Sequence, residues 1–195
     1  MEENMETKSE IRSTIANRLA GLSDKELSER TLQIERRFFE FANFLEANIA
    51  LLFISRLHEV PSENIVRNCL GSKKIIILPK FKADKFEVKL FKVDNFDSDL
   101  KSGPNGVLEP DPHRCKTASL DFIDIAIIPG IAFDEKGGRI GSGQGYYDRL
   151  IPKLPSTARK VALAFECQII NHVPMESHDR HVDIIISERR VIYKI

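Results

Sequence analysis

The chain has 195 residues, 42% of them hydrophobic, with 29 Lys and Arg set against 29 Asp and Glu. That length makes one domain, 1–195, the default expectation, with two small domains the alternative. A formal net charge of zero provides no global field for nucleic acid or an anionic membrane, so any anion must be recognised by local clusters.

In chain order, the opening "MEENMETKSEIR" carries too many charges for a signal peptide. Thr7-Lys8-Ser9-Glu10 and Ser23-Asp24-Lys25-Glu26 both have the capping-box pattern. Each precedes a helical apolar repeat: Ile11, Ile15, Leu19 and Leu22 in the first, and Leu27, Ile34, Phe38, Phe41 and Leu45 in the second. The expected helices cover 8–20 and 24–46. "IALLFIS" is a continuous apolar run of strand length, followed by a short helix from Ser62 that stops at Gly71. "KIIILP", "IDIAIIPG", "KVALAF" and "VDIIIS" are further buried strands. "FEVKLFKV", with Phe86, Val88 and Leu90 alternating with polar residues, is a half-exposed one, and "VIYK" is a last short one. "SGPNGVLEPDP" reads as a long rigid loop with three prolines. Nowhere does an apolar run approach the roughly 18 residues of a membrane span. Cys69, Cys115 and Cys167 lack CxxC spacing, which suits a reducing cytoplasm and offers neither a disulfide framework nor a zinc site. Continuous apolar strands separated by helical stretches predict an α/β fold with a largely parallel sheet.

Chemistry concentrates in "GRIGSGQGYYDRL", residues 138–150. Its glycines let backbone N–H groups approach a phosphate, and the helix expected to follow adds free donors. Arg139 could pair with phosphate oxygens, and Asp148 could hold the Mg²⁺ that travels with a nucleotide. The same glycines could equally form nothing more than a tight connection. Lys8 and Arg12, four apart, share a face with the apolar stripe of the first helix, where cations either snorkel or meet an anion. Glu59 follows the first buried strand, either facing the crevice or solvated on a loop. Asp179 and Asp183 bracket the start of the fifth buried strand, as metal positions beside Asp148 or as turn caps. No G-x-S-x-G elbow or Cys/His pair is present, so chemistry here would rest on positioning and electrostatics.

Together these residues resemble the 5-formyltetrahydrofolate cyclo-ligase (methenyltetrahydrofolate synthetase) family. "PGIAFDEKGGRIGSGQGYYDRL" is similar to that family's signature P-G-x-x-F-D-x-x-G-x-R-x-G-x-G-x-G-Y-Y-D. Weaker similarity runs through "KSEIR", "HEVPS", "GPNGVLEP", "ALAFECQI" and "VPMESHDRHVD". The resemblance implies a Rossmann-like three-layer α/β/α sandwich. It implies ATP- and Mg²⁺-dependent cyclisation of 5-formyltetrahydrofolate to 5,10-methenyltetrahydrofolate, through a phosphorylated formyl (iminium phosphate) intermediate, with release of ADP and phosphate. It carries ATP contacts onto Lys8, Ser9, Glu10, Ile11 and Arg12, and onto Arg139, Ile140, Gly141, Ser142, Gly143, Gln144, Gly145, Tyr146 and Tyr147. Folate contacts fall on Ile54, Glu59 and again on Ser142, Gly143, Gln144, Gly145 and Tyr146; metal positions fall on Asp148 and Asp179. Arg139 and Tyr147 take the catalytic places. The implied partner is the small-molecule folate, with or without a polyglutamate tail, acted on by a cytoplasmic monomer or homodimer. A non-catalytic nucleotide- or folate-binding relative of the same fold is the alternative. Ser142 and Gln144 stand where several relatives have a basic residue, His58 where an acidic residue or glycine is common, and Ser62, an expected N-cap, where threonine is.

Overall fold

Residues 6–82, 87–103 and 106–194 are described by the computed structural model, so the expected strand residue Phe86 and the Pro104 of the expected loop lie outside the described residues. In chain order the elements are α1 (Lys8–Ala20), α2 (Asp24–Glu40), α3 (Ala42–Glu46), β1 (Ile49–Leu51), α4 (Glu63–Leu70), β2 (Ile75–Lys82), β3 (Glu87–Val93), α5 (Phe96–Asp99), β4 (Leu100–Ser102), β5 (Leu108–Pro110), β6 (Lys116–Thr117), β7 (Ile125–Ile127), β8 (Ala132–Asp134), β9 (Arg139–Ile140), α6 (Tyr146–Leu150), β10 (Arg159–Leu163), β11 (Ile169–Ile170), β12 (Ile184–Ile186) and β13 (Val191–Tyr193).

Eight strands form the central sheet in the order β13-β12-β10-β7-β1-β2-β3-β6. The five from β12 to β2 run parallel, while β13, β3 and β6 are antiparallel additions at the edges. The apolar runs are continuous because both faces of the parallel strands are covered. Ala50, Ile76, Ile125, Val161 and Ile184 pack with α1 to α4 on one face. Their chain neighbours Leu51, Ile77, Ala126, Ala162 and Ile185 pack under Leu150, Ile151 and Leu154 on the other. The architecture is the expected α/β sandwich with a large, mostly parallel sheet, and its second helical layer is thin.

Both capping boxes form: the Glu10 carboxylate accepts from the Thr7 N–H at 2.7 Å, and the Glu26 carboxylate from the Ser23 N–H at 2.9 Å. These fix where α1 begins, and so where Lys8 and Arg12 point. Three expectations need correction. The expected 24–46 helix breaks at Phe41, whose backbone is extended (φ −73°, ψ 123°) so that its ring and that of Phe44 both reach the core. The expected proline-rich loop contains a hairpin, β4 against β5, that packs across β2. Ser62 does not cap α4; its hydroxyl instead donates to the Phe53 carbonyl at 2.7 Å and accepts from the Ser55 N–H at 2.9 Å. No helix among the described residues is long and apolar enough to cross a membrane.

Candidate active site

Beyond the carboxyl ends of the parallel strands, where open α/β sheets bind ligands, lies a cleft of about 400 Å³. Its walls come from α1, the loop after β1, β2, the β5 arm of the hairpin, the β9–α6 loop and the segment 176–179.

The signature stretch builds one wall from a buried aspartate outward. Asp134, 3% exposed, accepts from the backbone N–H groups of Lys136 (3.0 Å), Gly138 (2.8 Å) and Val173 (2.8 Å). That folds the β8–β9 turn and directs Arg139 inward, where it is 3% exposed. Arg139 Nη1 donates to the Pro129 carbonyl at 2.9 Å and Nη2 to Asp148 Oδ1 at 2.8 Å. Its Nε is buried without a partner among the described residues. Gly141 passes directly over this guanidinium, and a Cβ there would sit 2.8 Å from Nη1. Gly145, at φ 63°, turns the chain into α6, a conformation that disfavours a side chain. With five residues, α6 contributes little dipole, so the donors of this wall are the loop's own N–H groups.

Arg12 reaches across from α1 and donates from Nε to the Gly141 carbonyl at 2.9 Å. Lys8 lies 2.5 Å from Asp179 Oδ2 and 2.9 Å from Glu176 Oε1. Burial pushes the Asp179 carboxyl up, but the Lys8 ammonium and the Glu176 N–H outweigh it and hold the group below its ordinary value. Burial likewise pulls Lys8 down, and its two carboxylate partners leave it raised.

The opposite wall is apolar and aromatic. Tyr146 stacks on Phe81 with ring centroids 4.5 Å apart, and Tyr147 meets the same ring edge-on at 5.4 Å. Burial, reinforced by the charge of Glu59, raises the Tyr147 phenol well above its ordinary value. Glu59 is 8% exposed, so it is no solvated loop residue. Its Oε2 accepts from the Arg56 N–H at 2.8 Å, while Oε1 makes no hydrogen bond among the described residues. Burial pushes its carboxyl up, and Arg56 and Arg139 only partly offset this.

Of the candidate residues, Lys8, Arg12, Ile54, Glu59, Arg139, Ile140, Gly141 to Gly145, Tyr146, Tyr147, Asp148 and Asp179 all line this one cleft. Ser9 and Glu10 are exposed outside it, Glu10 being spent on the capping box, and Ile11 belongs to the core. Asp183 is elsewhere, accepting from the Lys160 N–H at 3.0 Å. No group of three or more His, Cys, Asp or Glu that could hold a metal occurs among the described residues. Asp148 and Asp179 each spend an oxygen on a cation, which fits a hard ion arriving with phosphate oxygens better than a resident metal. Sequence reasoning missed Phe81, Arg56, Glu176 and Glu109. Phe81 continues the strand begun by "KIIILP", and period-2 alternation from Ile77 through Pro79 would have placed it on the Tyr146 side.

Residues 4–188 match the 5-formyltetrahydrofolate cyclo-ligase family. The chain is 28% identical over 198 residues to a probable 5-formyltetrahydrofolate cyclo-ligase of Caenorhabditis elegans, covering 96% of this chain and 95% of that one. It is 24% identical over 186 residues to the 5-formyltetrahydrofolate cyclo-ligase of Mus musculus, covering 91% and 92%. The fold is similar to the NMR structure of Aquifex aeolicus 5,10-methenyltetrahydrofolate synthetase, with a TM-score of 0.84 and 27% identity over 96% of this chain and 92% of that one.

Proposed function

From the premise that the chain belongs to the 5-formyltetrahydrofolate cyclo-ligase family, we propose that its cleft binds ATP at the glycine loop and 5-formyltetrahydrofolate at Glu59, and uses the γ-phosphoryl group of the first to cyclise the second. The observation that carries the reading is that one cleft holds both a cation-flanked glycine loop and a buried carboxylate with an uncommitted oxygen.

A formamide is a poor electrophile because its nitrogen feeds the carbonyl. In this reading the formyl oxygen takes the γ-phosphoryl group as the bond to ADP breaks. The N10 amine then attacks the activated carbon within the same molecule, loses its proton, and phosphate departs with the former formyl oxygen. No enzymic nucleophile is needed; the chain's part is alignment and charge neutralisation. Lys8, Arg12 and the loop N–H groups would face the phosphates. Arg139 underlies Gly141 and fixes Asp148, with Nε as its spare donor. Tyr147, a phenol that is neutral at neutral pH and is raised further by burial, can donate a hydrogen bond. Asp148 and Asp179 would hold Mg²⁺, which supplies neutralisation of phosphate charge when bound. Glu59 would accept the N–H groups of the pterin's pyrimidine edge, and the stacked pair of Phe81 and Tyr146 would border its rings. The test is the absorbance of methenyltetrahydrofolate formed from 5-formyltetrahydrofolate. Product is expected with ATP and Mg²⁺ and not without ATP; product formed equally well without ATP would sink the reading.

A further inference from the structure

Gln168 is a side chain that neither the sequence motifs nor the proposed chemistry uses. It is fully buried, at 0% exposure, in the short turn after β10. All three of its strong bonds go to backbone atoms of strand-end loops around the cleft. Nε2 donates to the His58 carbonyl at 2.9 Å and to the Ile131 carbonyl at 2.9 Å, and Oε1 accepts from the Phe165 N–H at 2.8 Å. One planar amide thus ties together the loops that follow β1, β7 and β10.

The three loops depend on it unequally. The Ile131 segment is also held by the β8–β9 pairing and by Asp134. The loop 55–62 has no ladder of its own. Its neck is closed by reciprocal Ser55 and Ser62 bonds of 2.9 and 3.2 Å. Its tip carries His58 at φ 68°, a left-handed conformation that glycine adopts freely and histidine does not. Such a backbone persists where its surroundings over-determine it. The residue after His58 is Glu59, so whatever fixes the His58 carbonyl also fixes the direction in which Glu59 leaves the turn.

We propose that Gln168 is the positioning residue for Glu59: by holding the His58 carbonyl it keeps the left-handed turn closed and the Glu59 carboxylate set at the folate end of the cleft. This rests on the reading of Glu59 as the folate acceptor. It assigns a role in substrate affinity to a residue that touches no ligand, and it predicts that the role is confined to one of the two ligands, because the glycine loop and α1 receive no bond from Gln168.

The experiment is titration calorimetry of the folded chain with 5-formyltetrahydrofolate and, separately, with ATP. The variants are Gln168→Met, Gln168→Glu, Glu59→Gln and the pair Glu59→Gln with Gln168→Met. Gln168→Met keeps the volume and loses all three bonds; Gln168→Glu keeps the acceptor and loses the amide donors. Both are expected to weaken folate binding about tenfold and to leave ATP binding within twofold. In the Glu59→Gln background, Gln168→Met is expected to add little further loss, since the group it positions is already changed. Replacing His58 by glycine in Gln168→Met should recover none of the affinity, because it relieves the strain but frees the turn. Unchanged folate affinity in both Gln168 variants, with Glu59→Gln impaired, would overturn the positioning role and leave the Glu59 reading standing. Impaired Gln168 variants beside an unimpaired Glu59→Gln would overturn the Glu59 reading and this route with it. Equal losses for folate and ATP, or failure of both Gln168 variants to fold, would show that the side chain holds the whole domain and would also overturn it.

Discussion

The two ends of the cleft treat a carboxylate in opposite ways. At the Glu59 end, burial prevails: the group accepts one backbone N–H, the charges of Arg56 and Arg139 only partly offset the burial, and it is pushed above the ordinary carboxylate value. At the α1 end, Asp179 also suffers burial, but Lys8 at 2.5 Å reverses the result and the group is held low. On the proposed function, the difference follows from what each end would receive. A site for phosphates needs cations held in place, and the chain supplies carboxylates to hold them. A site for a neutral heterocycle with N–H donors needs an acceptor left partly unsatisfied, and the chain leaves Glu59 without a counter-ion in contact. The first arrangement contributes to stability; the second costs stability and keeps an interaction for the ligand.

The contrast breaks hardest at Arg139, the buried charge between the two ends. Its ion pair with Asp148 has side chains 2% and 15% exposed. Removing one partner of such a pair costs about 3–5 kcal/mol. Arg139 stands buried in β9, where the fold depends on it. Arg139→Ala is expected to lose stability by that amount in denaturant unfolding and to lower turnover by about a hundredfold. Replacing Arg139 and Asp148 together by Met and Leu should recover much of the stability and none of the turnover. A single variant as stable as the parent would remove Arg139 as the pillar beneath the glycine loop.

The contrast sharpens in the pair Glu59→Gln and Asp179→Asn. For Glu59 the folded group is raised, so the folded state holds the proton more tightly than the unfolded one, and its contribution to stability falls as pH rises from the ordinary 4.5 through the raised value. At pH 7 Glu59→Gln should therefore be at least as stable as the parent. It should bind folate about tenfold to a hundredfold more weakly, the equivalent of about 1.5–3 kcal/mol for a charge-assisted hydrogen bond, with ATP affinity unchanged. For Asp179 the folded group is lowered, so its stabilisation is present above the ordinary 3.8 and lost as pH falls through the lowered value. Asp179→Asn should be less stable than the parent at pH 7 and show a shallower acid limb in thermal unfolding. Two variants shifted in the same direction at pH 7 would erase the distinction between the ends. The smallest effect is expected at Thr7. Thr7→Ala removes the cap that fixes the start of α1 and should cost about 1 kcal/mol, with ATP affinity altered less than twofold, since Lys8 and Arg12 are also held through Asp179 and Gly141.

Local pattern in the sequence was enough for features whose physics is local. Capping boxes act within four residues, so Thr7 and Ser23 were legible as helix starts. Strands covered on both faces carry apolar residues at every position, so all five parallel strands were legible as runs. The glycine stretch was legible as a loop, and Lys8 with Arg12 as a shared face, because a helical period fixes which residues are neighbours. The break at Phe41 was not legible, because both halves keep the helical repeat and only the position of the core decides that Phe41 and Phe44 must both enter it.

Which charge meets which partner, and how deeply, was decided by the tertiary structure alone. Arg139 and Asp148 are nine residues apart and their pairing was within reach of the sequence, but their burial was not. Lys8 and Asp179, 171 residues apart, meet where α1 and the segment 176–179 border the same cleft, and Gln168 with His58, 110 apart, are joined because parallel strands bring their carboxyl ends to one edge of the sheet. A carboxylate's protonation depends on the solvent it loses and the charges it gains. Both are properties of that shared edge, and for this reason Glu59 and Asp179, alike in sequence as acids near strand ends, become opposites only when the chain is folded.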